Sequence, residues 1–137
     1  MKRVKTGDVI KYKLLNVLEF TSTRKRMSVI VEDPSGQKIL MSKGADSIIK
    51  ERLSQISLNS EEFRKTQAAV DECARVGLRT LFLAERYLAD ATYEAWNKES
   101  YASKLVIDGR EEAIAAVDEK IEKEMELIGS TAIDDRL

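Results

Sequence analysis

Two runs of this chain set basic side chains beside a predicted strand end or a glycine, namely Phe20-Thr21-Ser22-Thr23-Arg24-Lys25-Arg26-Met27-Ser28-Val29 and Lys43-Gly44-Ala45-Asp46. Cations placed in this way can meet a phosphate ligand, a nucleic acid or an anionic surface, although a solvated face is their commoner use. Much other chemistry is excluded. With no His, the Cys/His zinc sites and His-activated nucleophiles are absent, and a single Cys allows no internal disulfide. Cys73 stands between Glu72 and Ala74 in mid-helix with no base beside it, so it reads as a small buried apolar side chain. The pairs Glu61-Glu62 and Glu111-Glu112 fall at predicted helix starts, where the helix dipole favours acids. There is no Gly-x-x-x-x-Gly-Lys-Ser/Thr, no Gly-x-Gly-x-x-Gly and no Gly-x-Ser-x-Gly. A stand-alone hydrolase of nucleotides would have neither its phosphate cradle nor its nucleophile.

The elements that must position these runs are legible from periodicity. Residues 9–20 alternate, with Ile10, Tyr12, Leu14, Leu18 and Phe20 on one face and Lys11, Lys13 and Glu19 on the other, which predicts a half-buried strand. Residues 24–32 and 37–43 are strand-like and are joined by Asp33-Pro34-Ser35-Gly36, a turn that makes them a β-hairpin. Residues 45–53 predict a short helix and 59–76 a longer one, lined by Phe63, Val70 and Ala74, with Asn59 and Glu62 as a capping box and Gly77 as the C-cap. Residues 78–84 read as a buried strand that returns to pair near the hairpin. Beyond Leu88 the pattern is helical. Tyr93 and Trp96 lie in one stretch, and Ile114, Val117, Ile121, Met125 and Ile128 line a second that Asp108 and Glu111 cap and Gly129 ends. From Ser130 the pattern is extended, and the C-terminus is expected to be cut rather than finished.

Size and composition fit one folded domain. The chain has 137 residues, 43% of them apolar and 34% charged, with one Pro and six Gly. The net charge is −1 but uneven, since residues 1–52 hold 12 Lys or Arg against 6 Asp or Glu and the remainder 11 against 18. No run approaches the roughly 18 to 20 apolar residues of a membrane helix, and the start leads into no signal-peptide block, so a cytosolic, reducing setting is expected. The expected architecture is α+β, an antiparallel sheet with helices on one face.

Taken with Gly77-Leu78-Arg79-Thr80-Leu81 and Gly129-Ser130-Thr131-Ala132-Ile133-Asp134-Asp135-Arg136-Leu137, the two basic runs resemble, in order and spacing, the nucleotide-binding domain of P-type ATPases of the phospholipid-flippase subfamily. The stretch with Tyr93, Trp96 and Tyr101 is similar to the same subfamily, and the likeness runs nearly end to end. The resemblance implies ATP as ligand, with Phe20 stacking on adenine, Lys43 contacting the nucleotide and Arg79 reaching its phosphates. Gly44 would let the ligand approach the backbone ahead of a helix N-terminus, and Ser22 and Thr23 would offer hydroxyls to ribose or base. On residue type alone Phe20 is equally a core side chain, Lys43 a solvated charge, Arg79 a cation at a helix C-terminus, and Ser22 a turn residue.

The resemblance further implies that residues 1–128 are the C-terminal portion of that domain. Residues 129–137 would begin the hinge to the phosphorylation domain, with Asp134 and Arg136 helping to close it over ATP. The phosphorylated aspartate of an Asp-Lys-Thr-Gly motif and the aspartates that hold Mg2+ would lie outside this chain, which alone is expected to be inactive. Implied partners are the phosphorylation and actuator domains of one parent chain, with phospholipid met only through membrane helices outside this piece. A monomer that binds no nucleic acid is expected, as the cytosolic domain of an integral membrane protein. The rival expectation is a nonenzymatic interaction module whose basic hairpin meets an acidic partner.

Overall fold

A computed structural model describes residues 12–132, and the backbone of 4–5, 8–9 and 133. The expected strand positions Ile10 and Lys11, and the tail residues Asp134 and Arg136, lie outside the described residues. Two two-residue strands, β1 (Val4–Lys5) and β2 (Asp8–Val9), pair with each other. The main sheet has five antiparallel strands in chain order: β3 (Lys13–Leu18), β4 (Arg26–Glu32), β5 (Lys38–Gly44), β6 (Arg79–Leu88) and β7 (Glu126–Ile133). Three helices, α1 (Asp46–Lys50), α2 (Gln55–Leu58) and α3 (Glu61–Arg75), lie between β5 and β6. Two more, α4 (Asp90–Lys104) and α5 (Arg110–Ile121), lie between β6 and β7. The α+β architecture expected from the sequence is the one observed.

Alternation along the strands builds the core. Ile30 on β4, Leu40 on β5 and Phe82 and Ala84 on β6 point to one face and are fully buried in a single cluster with Ile49, Phe63, Val70, Trp96 and Ile121 of the helices. Phe63 meets Phe82 edge to face, with ring centroids 6.3 Å apart. Each of the Leu, Ile, Val and Phe side chains among them contributes about 1.5–3 kcal/mol on burial. The hairpin of β4 and β5 forms as the Asp33-Pro34-Ser35-Gly36 turn predicts. Asp33 Oδ1 accepts from the backbone N–H groups of Ser35 and Gln37 at 3.0 and 2.9 Å, and Gly36 takes φ +91°. The hydroxyl and amides around Asp33 hold its carboxyl below the ordinary carboxylate value, the Ser35 hydroxyl most of all.

Several local expectations are corrected. The face shared by Leu14 and Leu18 is interrupted, because a bulge between Leu14 and Asn16 turns Leu14 outward at 58% exposure and lets Leu15 pack on the core. The long helix is capped by Ser60, whose Oγ accepts from Phe63 N at 3.1 Å, and not by Asn59, which closes α2, a turn of helix that the sequence did not announce. Ala74 on that helix is exposed and Cys73 only half-buried. The last helix stops at Ile121, with Gly109 and not Asp108 at its N-cap. Glu124 then turns left-handed at φ 54°, and Met125 and Ile128 leave the helix for a bridge to Leu53 and for β7. Pairing of β7 with β6 across residues 79–85 outweighs a helical periodicity that was only local. Gly129 therefore lies within a strand, opposite Leu83.

Candidate functional site

The order and direction of the strands bring one end of each to the same end of the sheet. There β3 finishes at Leu18, β4 starts at Arg26, β5 finishes at Gly44 and β6 starts at Arg79. Phe20 follows β3 by two residues and is 63% exposed, so its ring is not spent on the core. Lys43 is exposed, opposite Met27 on β4 and Leu83 on β6. Arg79 is exposed four residues before Leu83, and both cations project from the face opposite the buried Phe82 and Ala84. Their Cα atoms are about 13–14 Å apart by strand geometry, a gap that two long side chains can close on one ligand. Phe20, Lys43, Gly44 and Arg79 therefore share a rim, with Phe20 about two strand spacings from Lys43.

Ser22 goes elsewhere. It is exposed, in a turn over residues 21–25 closed by Lys25 N donating to Thr21 O at 2.8 Å and Arg24 N to Thr21 Oγ1 at 3.0 Å. There it lines a cavity of about 550 Å³ together with Trp96, Ser100 and Asp118, on the side of α4 and α5.

Two expectations about the Lys43–Gly44 run receive a different physical reason. A Cβ on Gly44 would stand 2.8 Å from both the Arg26 Cβ and the Lys25 carbonyl oxygen. The room at Gly44 is thus taken by the chain's own backbone entering β4, and the glycine seats the turn after Phe20 against the end of β5. The helix that follows has only five residues, and the carboxylate of Asp46 occupies its first turn, accepting from Ser47 N at 2.9 Å. Its N-terminus already faces an anion of its own, so it adds little to a phosphate site.

The Arg24-Lys25-Arg26 triplet is not an exposed basic patch. Arg24 and Arg26 are 5% and 3% exposed, and both guanidinium groups turn inward to Glu122, which follows α5 and is 1% exposed. Arg24 donates from Nη2 at 2.7 Å and from Nη1 at 3.1 Å, and Arg26 from Nε at 3.0 Å. Ser28 Oγ donates to the same carboxylate, which leaves Ser42 Oγ as the donor to Ser28. Asp118, one helical turn before Glu122, stands 3.8 Å from Arg24. Burial, opposed by Arg24 and reinforced by Glu122, pushes the Asp118 carboxyl up to about 6. Only Lys25 of the three is exposed, in the left-handed region at φ 55°. Sequence reading missed this cluster because its partners are 94 to 98 residues apart and nothing local marks Glu122 as interior. With the hairpin's two arginines spent inside, the reading of a basic hairpin open to an acidic partner loses its main charges.

Among the described residues no three His, Cys, Asp or Glu side chains converge to hold a metal. Among those residues, too, no helix is long and apolar enough to cross a membrane.

Comparison with known proteins supplies the family-level findings. Residues 4–137 match the family described as P-type ATPase, cytoplasmic domain N. The chain is 47% identical over 127 residues to Probable phospholipid-transporting ATPase 7 of Arabidopsis thaliana, covering 92% of this chain and 10% of that protein. It is 47% identical over 128 residues to Phospholipid-transporting ATPase 10 of the same plant, again 92% against 10%. To Phospholipid-transporting ATPase DNF1 of Chaetomium thermophilum it is 40% identical over 131 residues, 96% of this chain and 8% of the relative. The chain thus spans about a tenth of the length of the curated relatives it matches.

Proposed function

The chain belongs to the cytoplasmic N-domain family of P-type ATPases, and from that premise we propose that it binds ATP for a phospholipid-transporting pump of which it is one part. The rim formed by Phe20, Lys43 and Arg79 holds the nucleotide. An exposed aromatic ring at a strand end stacks on adenine, worth about 1–3 kcal/mol by analogy with base stacking. Lys43 and Arg79 meet the phosphates from one sheet face, Lys43 as a mobile point charge and Arg79 as a planar fork. Ser22, on the α4/α5 side of the turn, meets ribose at most from the edge. The phosphorylated aspartate and the Mg2+ ligands lie in other domains of the parent. This domain's share of phosphoryl transfer is to present the γ-phosphate in line to that aspartate, catalysis by positioning. The segment from 129 onward, after its passage through β7, leads to the phosphorylation domain. Lipid selection belongs to membrane helices outside this chain.

The observation that carries the reading is the exposure of Phe20, at 63%, at the sheet end that also bears Lys43 and Arg79. Titration of the chain with ATP, followed through its amide resonances, tests it. Saturable shifts at residues 20, 43 and 79 are expected, with affinity on the order of millimolar. Phe20→Ala should weaken binding by about tenfold or more without loss of fold, since the ring is not in the core. An unshifted spectrum at high ATP would overturn the reading.

A further inference from the structure

We propose that Glu122 is the positioning residue of the turn that follows Phe20: from the end of α5 its carboxylate clamps the arginines on both sides of Lys25 and so fixes how that turn is presented. The proposal rests on the nucleotide reading above for its use, but not for its geometry. Arg24 and Arg26 converge on one carboxylate with contacts of 2.7 to 3.4 Å, and Ser28 adds a further donor. With its acceptor positions taken and its side chain fully enclosed, Glu122 has no freedom to adjust. Because both flanking side chains are drawn inward, Lys25 between them is driven outward. Its left-handed backbone, unfavourable for a residue with a Cβ, persists because the neighbours on both sides are pinned.

The constraint passes to the rest of the turn. Thr21 accepts from both Arg24 N and Lys25 N, so residues 21–25 move as one piece, and Phe20 is joined directly to it. The Lys25 carbonyl and Arg26 Cβ rest in the space that Gly44 leaves, beside Lys43. A shift of the guanidinium groups therefore changes the separation of the two motifs that form the rim. Stability alone does not account for the cluster, since a buried ion pair of this kind is commonly replaced by apolar side chains without loss. Fixed geometry does account for it.

The test uses the 137-residue chain, Glu122→Asp, and the control Val70→Ala, which loosens the core at α3 away from the turn. Glu122→Asp keeps the charge but shortens its reach. Backbone 15N order parameters at residues 21–25 should fall from about 0.85 to below about 0.6 in Glu122→Asp and stay high in Val70→Ala. The ATP dissociation constant should rise about five- to tenfold in Glu122→Asp and stay within about twofold in Val70→Ala. A folded Glu122→Asp with a rigid turn overturns the proposal, as does an equal loss of affinity in Val70→Ala, which would mark a general effect of lowered stability. If the unaltered chain binds no ATP, the nucleotide reading fails and the order parameters alone decide the clamp. Should Glu122→Asp not fold, Ser28→Ala, which removes one donor to the same carboxylate, carries the comparison with the same signs and smaller changes.

Discussion

At Gly44 a missing side chain decides how close two strand ends may come. An added Cβ would sit 2.8 Å from a backbone carbonyl and from the first side-chain carbon of Arg26, neither of which can swing aside like the tip of a flexible chain. Gly44→Ala should therefore push the start of β4 outward and cost about 1–3 kcal/mol, readable as a lower urea midpoint. The same variant should move the amide resonances of Lys25 and Arg26 more than those of Phe82, although Phe82 is also opposite Gly44 in register. At this scale the sequence was legible in part. The types at Phe20, Lys43 and Arg79 pointed to one ligand through a resemblance, and the fold sets them on one rim. The reason Gly44 must be glycine was not legible, because it depends on a backbone that approaches from β4 and not on anything within its own turn.

Elements were legible where their signals are local. The β4–β5 hairpin follows from Pro34 and Gly36 together with the Asp33 side chain, all within five residues, and nothing distant competes with it. The break between α5 and β7 was not legible, since Ile121, Met125 and Ile128 keep a helical spacing while Glu122 is held by β4 and the chain beyond by β6. Helix caps fall between these cases, and they can be tested one against the other. Asn59 and Ser60 are both good N-cap residues, but only the Ser60 hydroxyl meets Phe63 N, while Asn59 ends the preceding turn. Ser60→Ala should lower stability by about 1 kcal/mol and Asn59→Ala by a few tenths at most, measured as chemical unfolding free energies. Equal losses would place the start of α3 one residue earlier.

Over the whole molecule the formal charge is −1, yet two cations and two anions are taken into one interior cluster, and its members are unequal. Glu122 is satisfied by two guanidinium groups and a hydroxyl, while Asp118 stands 3.8 Å from Arg24 and lines the cavity beside Trp96. Its carboxyl is therefore pushed up to about 6 from an ordinary value of 3.8, chiefly by burial. Between those two pH values the folded chain keeps a proton that the unfolded chain has released. Stability contributed by this group is thus greatest below the lower value, falls as pH rises through the window, and is lost above about 6, the reverse of a carboxylate in a strong ion pair. The loss at neutral pH is on the order of 2–3 kcal/mol. Asp118→Asn removes the titration while keeping the shape. Because other carboxylates such as Asp33 slope the opposite way, the quantity to measure is the difference between the two chains. Unfolding free energies from pH 4 to 8 should show Asp118→Asn gaining on the unaltered chain as pH rises from about 4 to about 6, with a constant difference above that. A difference that is flat across the range would mean that attraction to Arg24 offsets the cost of burying the Asp118 carboxylate.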